Sequence, residues 1–530
     1  LVVALLAVGA ALALGPVLGR WLIGQLREHG VVPDVLQFHQ GWVPAVVAAG
    51  ASLLIVLVAA FVAGRRAGRI RPTEALAESA VERGWVTPIR IILAFLCFGG
   101  GTALAIVTAA VMTGPAAAST AGPAVMLWAF GLAAISPGVT KLVARLLHWP
   151  VHALTGVNGR VALLNTRVNA VRAAGAVTPI MLAVGIVIAN SYLQTTQQAV
   201  SNQAFTEDLR ADAVIGSPTG LAPELARKIQ DVPGVGGASA YVTSTVFVEA
   251  PYDSSEDDEG WPAVGLTAGG AARTTATSVT AGSLDALSGT TIALPGKLAT
   301  ALGRGVGDTI TLRLGDGTKT DVRVVAVVSQ RAGFERVLLP AEFLAPHTTI
   351  GLAPQLLVRA ASGVDTATLT SRLRDVTADL PVQVGDRDSL IAAHAKGNEV
   401  GAWVNYLLAG MIAAYTVISV VNTLVMATAR RRREFGLQRL SGFTRSQVLR
   451  MAGIEGGLIA TIGIVLGTVV AAAALVPFCL VVSGSPVPSG PIGIYLTGIA
   501  MAAVLALTAI LVPAWAATRG PAVDATAIGE

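Results

Sequence analysis

Eight separate stretches of about 20 predominantly apolar residues run through this chain, each long enough to cross roughly 30 Å of hydrocarbon as a single helix. They fall at residues 1–19, 42–64, 91–113, 121–139, 176–193, 403–427, 454–482 and 492–514. Hydrocarbon offers the backbone no hydrogen-bond partner, so spans of this kind have to satisfy themselves as helices. The composition follows from them: 53% of the 530 residues are hydrophobic and 13% charged, against about 25% charged in a soluble domain. Cys97 and Cys479 both lie inside the apolar runs and read as small hydrophobes. The first run lacks a signal-peptide cleavage pattern and reads as a mature span.

Charge gives the orientation. Short cytoplasmic loops carry excess Lys and Arg, and three segments qualify: Arg65, Arg66, Arg69 and Arg71; Lys141, Arg145, Arg160, Arg167 and Arg172; and Arg430 to Arg433 with Arg439, Arg445 and Arg450. Threading the eight spans in order puts all three on one side. The other side receives a near-neutral loop at 20–41, the turns 114–120 and 483–491, and a polar region of roughly 200 residues. Residues 202–395 hold 22 acidic and 15 basic residues, so the net +5 of the chain conceals −7 in this region and +12 elsewhere. The basic pI near 9.5 is therefore a topology signal. No basic patch interleaved with aromatics supports nucleic-acid binding. Trp21, Trp42, Trp85, Trp149, Trp403 and Trp515 fall near span ends, as an interfacial belt would place them.

Within the polar region the pattern changes to short alternating strands and amphipathic helices broken by Gly, Pro, Asp and Ser. Residues 221–232 and 366–380 read as helices, 237–250 as a strand, and 309–314 with 320–328 as a hairpin turning at Asp316-Gly317. Residues 194–210 and 388–399 read as helical continuations of the fifth and sixth spans, a stalk able to transmit motion. The predicted fold class is a membrane all-α bundle of about eight transmembrane helices with one inserted extracytoplasmic α+β domain.

Catalytic and metal chemistry find little support. The acidic run Asp253, Glu256, Asp257, Asp258 and Glu259 lacks the ligand alternation and turn glycine of a calcium loop and reads as a solvated loop. His148 and His152 are four apart, but Pro150 lies between them and no Glu follows the first. There is no G-x-S-x-G nucleophile elbow. Nor is there a G-x-x-x-x-G-K-[ST] phosphate cradle; Pro295-Gly296-Lys297-Leu298 lacks both spacing and hydroxyl. No catalytic residue, metal site or bound cofactor is predicted, and an energy source would have to be another polypeptide.

The most informative segment follows the sixth span. Residues 430–450 contain Arg431, Glu434, Gly436, Gly442 and Val448 in the pattern R-x-x-E-x-G-x-x-x-x-x-G-x-x-x-x-x-V. This closely resembles the signature of the FtsX-like, or MacB-type, ABC permease family. There the segment forms a short cytoplasmic coupling helix against an ATPase. The residue pattern alone is compatible with an amphipathic helix offering Phe435, Leu437, Leu440 and Phe443 among arginines to a soluble partner. The alternative on the pattern alone is a positive-inside anchor on lipid headgroups. The resemblance implies coupling residues Arg431, Arg432, Arg433, Glu434, Phe435, Gly436, Leu437, Arg439, Leu440, Gly442, Phe443 and Val448. It implies as partner an ABC ATPase subunit dimer, which would use ATP and Mg, besides the lipid bilayer. It also implies an extracytoplasmic client (peptide, lipid, lipoprotein or cell-wall hydrolase) and a multi-pass protein of the bacterial cell membrane with a cytoplasmic C-terminus.

Residues 158–172 resemble the family's amphipathic helix ahead of the first module span. The architecture of 451–525 recurs at 1–76: two apolar runs, an outer loop between them, and a basic tail with Pro72 or Pro521. The expected organisation is the last two spans and tail of a first module at 1–80, truncated at its N-terminus, and two linker spans at 87–147. The amphipathic helix, span and stalk of a second module follow at 158–201, then the MacB-like domain at 202–395. Three spans close the chain at 396–530, with the coupling segment at 428–450. Such a chain would be an eight-span part of a ten-span, two-module protein; a genuinely shortened protein is the alternative. The expected function is the permease subunit of an ATP-driven transporter for export, extraction or mechanotransmission. A non-transporting regulator of an outer partner is the second reading. An ion-coupled secondary transporter is the third, disfavoured because strongly charged residues are rare inside the spans, Glu455 excepted.

Overall fold

The computed structural model describes residues 2–28, 38–39, 41–67, 88–112, 117–146, 159, 163–164, 166–168, 170–252, 260–331, 334–429 and 432–519. The acidic run at 253–259, His148 and His152, Arg430 and Arg431, the tails at 68–87 and 520–530, and most of 158–165 lie outside the described residues.

Eight long helices account for the apolar runs: α1 Val2–Glu28, α2 Trp42–Ala67, α3 Pro88–Ala110, α4 Ala117–Leu146, α5 Ala170–Asp208, and, after an inserted domain, α9 Arg387–Ala429, α11 Arg445–Ser483 and α12 Gly493–Ala517. Among the described residues seven are long and apolar enough to cross a membrane, and α9 carries its apolar run as the shorter stretch Gly410–Met426. Both α5 and α9 overshoot the bilayer. At 39 residues, α5 is ~58 Å long, about twice the hydrocarbon thickness, and its distal part leaves the membrane as a stalk beside the first turns of α9.

The bundle core is built where α11 packs along α5, with α4, α9 and α12 around them. Without a hydrophobic driving force between helices in lipid, close association depends on small residues that bring backbones together. Gly463 and Gly467 on α11, spaced G-x-x-x-G, lie on α5. A methyl group at Gly463 would stand 2.7 Å from Ile180 Cγ2, and one at Gly467 would stand 2.7 Å from Val184 Cβ and 2.8 Å from the Met181 carbonyl oxygen. Outside the bundle core the turn between α11 and α12 is tied to α5. Thr195 Oγ1 donates to the Ser489 carbonyl (2.7 Å), the Ser489 amide to Thr196 Oγ1 (3.0 Å), and Tyr192 Oη to the Pro491 carbonyl (3.2 Å).

The inserted domain is a ten-stranded sheet: β1 Ala213–Leu221, β2 Val235–Ala250, β3 Trp261–Leu266, β4 Ser278–Gly282, β5 Thr291–Pro295, β6 Thr309–Arg313, β7 Lys319–Ser329, β8 Val337–Pro340, β9 Ala353–Ala360 and β10 Gln383–Asp386. The order is β10-β1-β9-β2-β3-β8-β5-β7-β4, with β6 pairing to β2 and β7; β3/β8 and β5/β7 are parallel. Helices α6 Leu225–Gln230, α7 Gly296–Leu302 and α8 Thr366–Val376 pack on it. The β6–β7 hairpin forms as its turn chemistry predicts, with Gly317 at φ +87°. Two predicted helices shorten. Leu221 is instead paired to Ala353 at the end of β1, and α6 stops at the Pro233-Gly234 turn, where Gly234 takes φ +97°. Helix α8 begins at the Asp365 cap and ends at Val376.

A Gly467→Ala substitution is expected to lower the thermal midpoint of the detergent-solubilised protein, because its methyl group meets a carbonyl that cannot move aside; overpacking of this kind costs about 1–3 kcal/mol. Gly457 on the same helix has nothing within 4 Å, and Gly457→Ala is expected to hold or raise the midpoint. Equal effects at the two positions would refute the seam.

Candidate coupling surface and outer stalk

At the end of the bundle opposite the sheet domain, the arginine-rich segment folds into a short helix, α10, Arg432–Leu440. Its termination explains one signature glycine. The Gly442 amide donates to the Arg439 carbonyl and the Phe443 amide to the Gln438 carbonyl, a Schellman closure whose C′ residue takes positive φ; Gly442 sits at +98°. The chain restarts at once. Thr444 Oγ1 accepts from the Gln447 amide while Gln447 Oε1 accepts from the Thr444 amide, a capping box that begins α11.

The side chains divide into two sets. Phe435 is 1% exposed and packs with Val448 and Ala452 of α11 and Ala514 of α12. Gly436 is buried beside it. Arg439 Nη1 donates to the Thr518 carbonyl at the end of α12 (3.2 Å), and the Arg519 guanidinium lies 3.5 Å from the Trp515 ring centroid. Facing away are Leu437, Leu440 and Phe443, exposed by 54%, 53% and 42%. Phe435 and Val448 therefore fix the helix rather than offer a knob, correcting the reading of Phe435 as part of the presented face. Glu434 is half-buried and has a partner. Of Arg432 and Arg433 the backbone alone is described, and Arg431 lies outside the described residues.

At the other end, the stalk is locked to the sheet by residues that sequence reading did not single out. The β7–β8 connection supplies two cations: Arg331 Nη1 meets Glu207 (2.7 Å), and Arg336 Nη2 meets Asp208 (2.9 Å) while its Nη1 donates to Tyr241 Oη (2.8 Å). Arg387 Nη2 donates to the Thr206 carbonyl (2.9 Å). Phe205 of α5 and His394 of α9 stack at 3.9 Å and 8°, and Asn398 Nδ2 donates to Asn202 Oδ1 (2.7 Å). Burial raises the Tyr241 pKa above that of a free phenol. Burial, with Arg336 nearby, lowers that of His394. These partners lie up to 196 residues apart, so no local spacing announces them. Among the described residues no group of His, Cys, Asp and Glu is arranged to hold a metal ion.

Residues 174–376 match the family model of the MacB-like periplasmic core domain, and residues 406–522 match that of the FtsX-like permease C-terminal. The periplasmic region of MacB from Actinobacillus actinomycetemcomitans is similar at 12% identity over 35% of this chain and 94% of that one, with a TM-score of 0.27. The extracellular domain of the noncanonic ABC-type transporter YknZ from Gram-positive bacteria is similar at 15% identity over 33% of this chain and 98% of that one, with a TM-score of 0.26. No curated protein matches the chain.

Two outcomes are expected. Gly442→Ala puts a Cβ at positive φ, costing about 1–2 kcal/mol, and should speed amide exchange across 432–444; unchanged exchange would contradict the closure. His394, with its pKa held below the free value of about 6.5, takes up a proton more readily when the joint is open. The joint is therefore fully stable above pH 6.5 and weakens as pH falls from there towards the lowered value. Amide exchange at 201–208 should rise between pH 7 and 5 in the wild type, with a flatter profile in His394→Phe, which keeps the stack.

Proposed function

With a MacB-like core domain and an FtsX-like permease domain on one chain, this multi-pass protein is an FtsX/MacB-type ABC transporter permease subunit, and from that premise we propose that α10 receives force in the cytoplasm from a separate ATPase dimer. The carrying observation is the division of α10 into an anchored face and a presented one. Phe435, Gly436 and Val448 seat the helix on α11 and α12, and Arg439 closes the end of α12. Leu437, Leu440 and Phe443 stay uncovered at the far end of the bundle, where burial against a partner from water would gain about 1.5–3 kcal/mol for each. Arg431, Arg432, Arg433 and Glu434 would set the charge around that face and steer docking. ATP and Mg would be used by the ATPase. Residues 396–530 close the second module, with the C-terminus cytoplasmic, and the chain sits in a bacterial cell membrane.

In this reading nucleotide states favour different permease conformations, and the bundle passes the change along α5 and α9 to the extracytoplasmic domain, where it acts on a peptide, lipid, lipoprotein or cell-wall hydrolase. The clamped stalk favours transmission of movement to an outer client, with or without passage of that client through the membrane.

Leu440→Ala and Phe443→Ala are each expected to weaken ATPase association about five- to thirtyfold, the effect of losing 1–2 kcal/mol, in a pull-down or light-scattering titration. Leu496→Ala, on an equally exposed part of α12, should leave it unchanged. Labelling of an Arg433→Cys variant from outside the cell, or unaltered association in both α10 variants, would overturn the proposal.

A further inference from the structure

The two stalk helices and the sheet do not close completely on one another. A cavity of about 580 Å³ remains between them, inside the range of roughly 300–1,000 Å³ typical of small-molecule sites. Its walls come from four directions: Phe205 on α5, Leu390 and Ala393 on α9, Val264 on β3, and Phe334 and Arg336 on the β7–β8 connection. A second space of about 150 Å³ lies across Phe334 and Arg336 from it, beside Asp208, so these two side chains form a partition.

Most of the lining surface is apolar; Ser201, Thr243, Ser244, Gln355 and His394 add neutral polar groups to the walls, and among the described lining residues Arg336 carries the guanidinium. Arg336 donates to Asp208 and to the Tyr241 oxygen. Because that oxygen is accepting, the phenolic proton remains available to an acceptor on the cavity side. Glu335 already has a partner, and Asp208 is engaged by the guanidinium. The phenol and the guanidinium therefore stand side by side as donors to an occupant, against walls that are apolar over most of their surface. Ala204 on α5 is twelve residues beyond Tyr192, which marks the outer turn, so the cavity stands ~18 Å of helix rise beyond that turn, where a molecule reaches it from the outer surface.

We propose that this cavity binds a small amphiphile with one apolar chain or ring system of medium length and a carboxylate or carbonyl oxygen as its head, received by Tyr241 and Arg336. Since the walls belong to both stalk helices and to the sheet, an occupant stabilises the stalk arrangement that shapes the cavity, and occupancy and stalk position are linked reciprocally. The assignment is independent of the coupling proposal: binding is read with no ATPase present, so failure of one leaves the other standing.

The test uses the full chain in nanodiscs and a diazirine-bearing dodecanoic acid, with crosslinked residues mapped by mass spectrometry. Labelling is expected in 201–208 and 390–394, suppressed by unlabelled dodecanoate and about tenfold less effectively by dodecanol. Tyr241→Phe should weaken binding about fivefold. Ala393→Trp, at an exposed position on the cavity mouth, should abolish labelling there while leaving the thermal midpoint in place. Labels confined to the membrane spans, labelling that dodecanoate does not suppress, or wild-type labelling in both variants would overturn the assignment.

Discussion

Continuous helix along α5 and α9, with one amide missing at Pro179, is the constraint from which the outer architecture follows. A helix inside hydrocarbon has no alternative partner for its amides, and nothing in Ala170–Asp208 or Arg387–Ala429 ends that pattern at the membrane surface. The sheet domain is therefore inserted between two stiff rods. Its own termini make this compatible with a closed stalk. Asp208 leads into β1 and Arg387 follows β10, and β1 and β10 are neighbours in the sheet, with Ala213 opposite Asp386. The domain thus begins and ends at one edge and requires no separation of the helices that carry it.

The inner end obeys a different logic. A nine-residue helix is too short to persist alone in water, so α10 depends on tertiary contact: Phe435 between α11 and α12, and Arg439 on the carbonyl of Thr518 at the end of α12. Helix α11 then runs along α5 through Gly463 and Gly467, whose missing side chains leave room for Ile180 and Val184 and bring the Met181 carbonyl close. Contiguous packing thus joins α10 to α11, α11 to α5 and α5 to the sheet. Such a chain becomes a transmission route only if one of its contacts has two arrangements.

What was legible in the sequence was what local chemistry dictates. Apolar runs gave the spans, Asp316-Gly317 gave the β6–β7 turn, and Gly442 stood where a helix closure needs positive φ. What was not legible depends on distant partners. Phe435, Leu437, Leu440 and Phe443 look alike in a helical pattern, and the inward choice of Phe435 is set by Ala514, remote in sequence. The pairing of Asp208 with Arg336 and Tyr241, and the stack of Phe205 on His394, arise from how the sheet meets the stalk. No periodicity along the chain encodes them. Likewise Leu221 has helical company in the sequence and became strand because Ala353 stood opposite.

The stalk joint also shows which forces hold and which orient. Arg331 and Glu207 are exposed by 32% and 54%, and a pair so solvated is worth about 0–1 kcal/mol. Arg336 and Asp208, at 21% and 27%, are better shielded, yet both charges lose hydration in meeting, which offsets much of their attraction. Leu209, Val214, Leu357 and Leu390, all under 8% exposed, form one apolar cluster across the same joint, and each such burial contributes about 1.5–3 kcal/mol. The apolar cluster therefore supplies the cohesion. The arginines supply direction, since a guanidinium engaged by both a carboxylate and a phenol fixes the rotation of α5 against the sheet in a way that leucines, which accept many packings, do not. A joint of this design stays closed at high ionic strength while its angular register loosens.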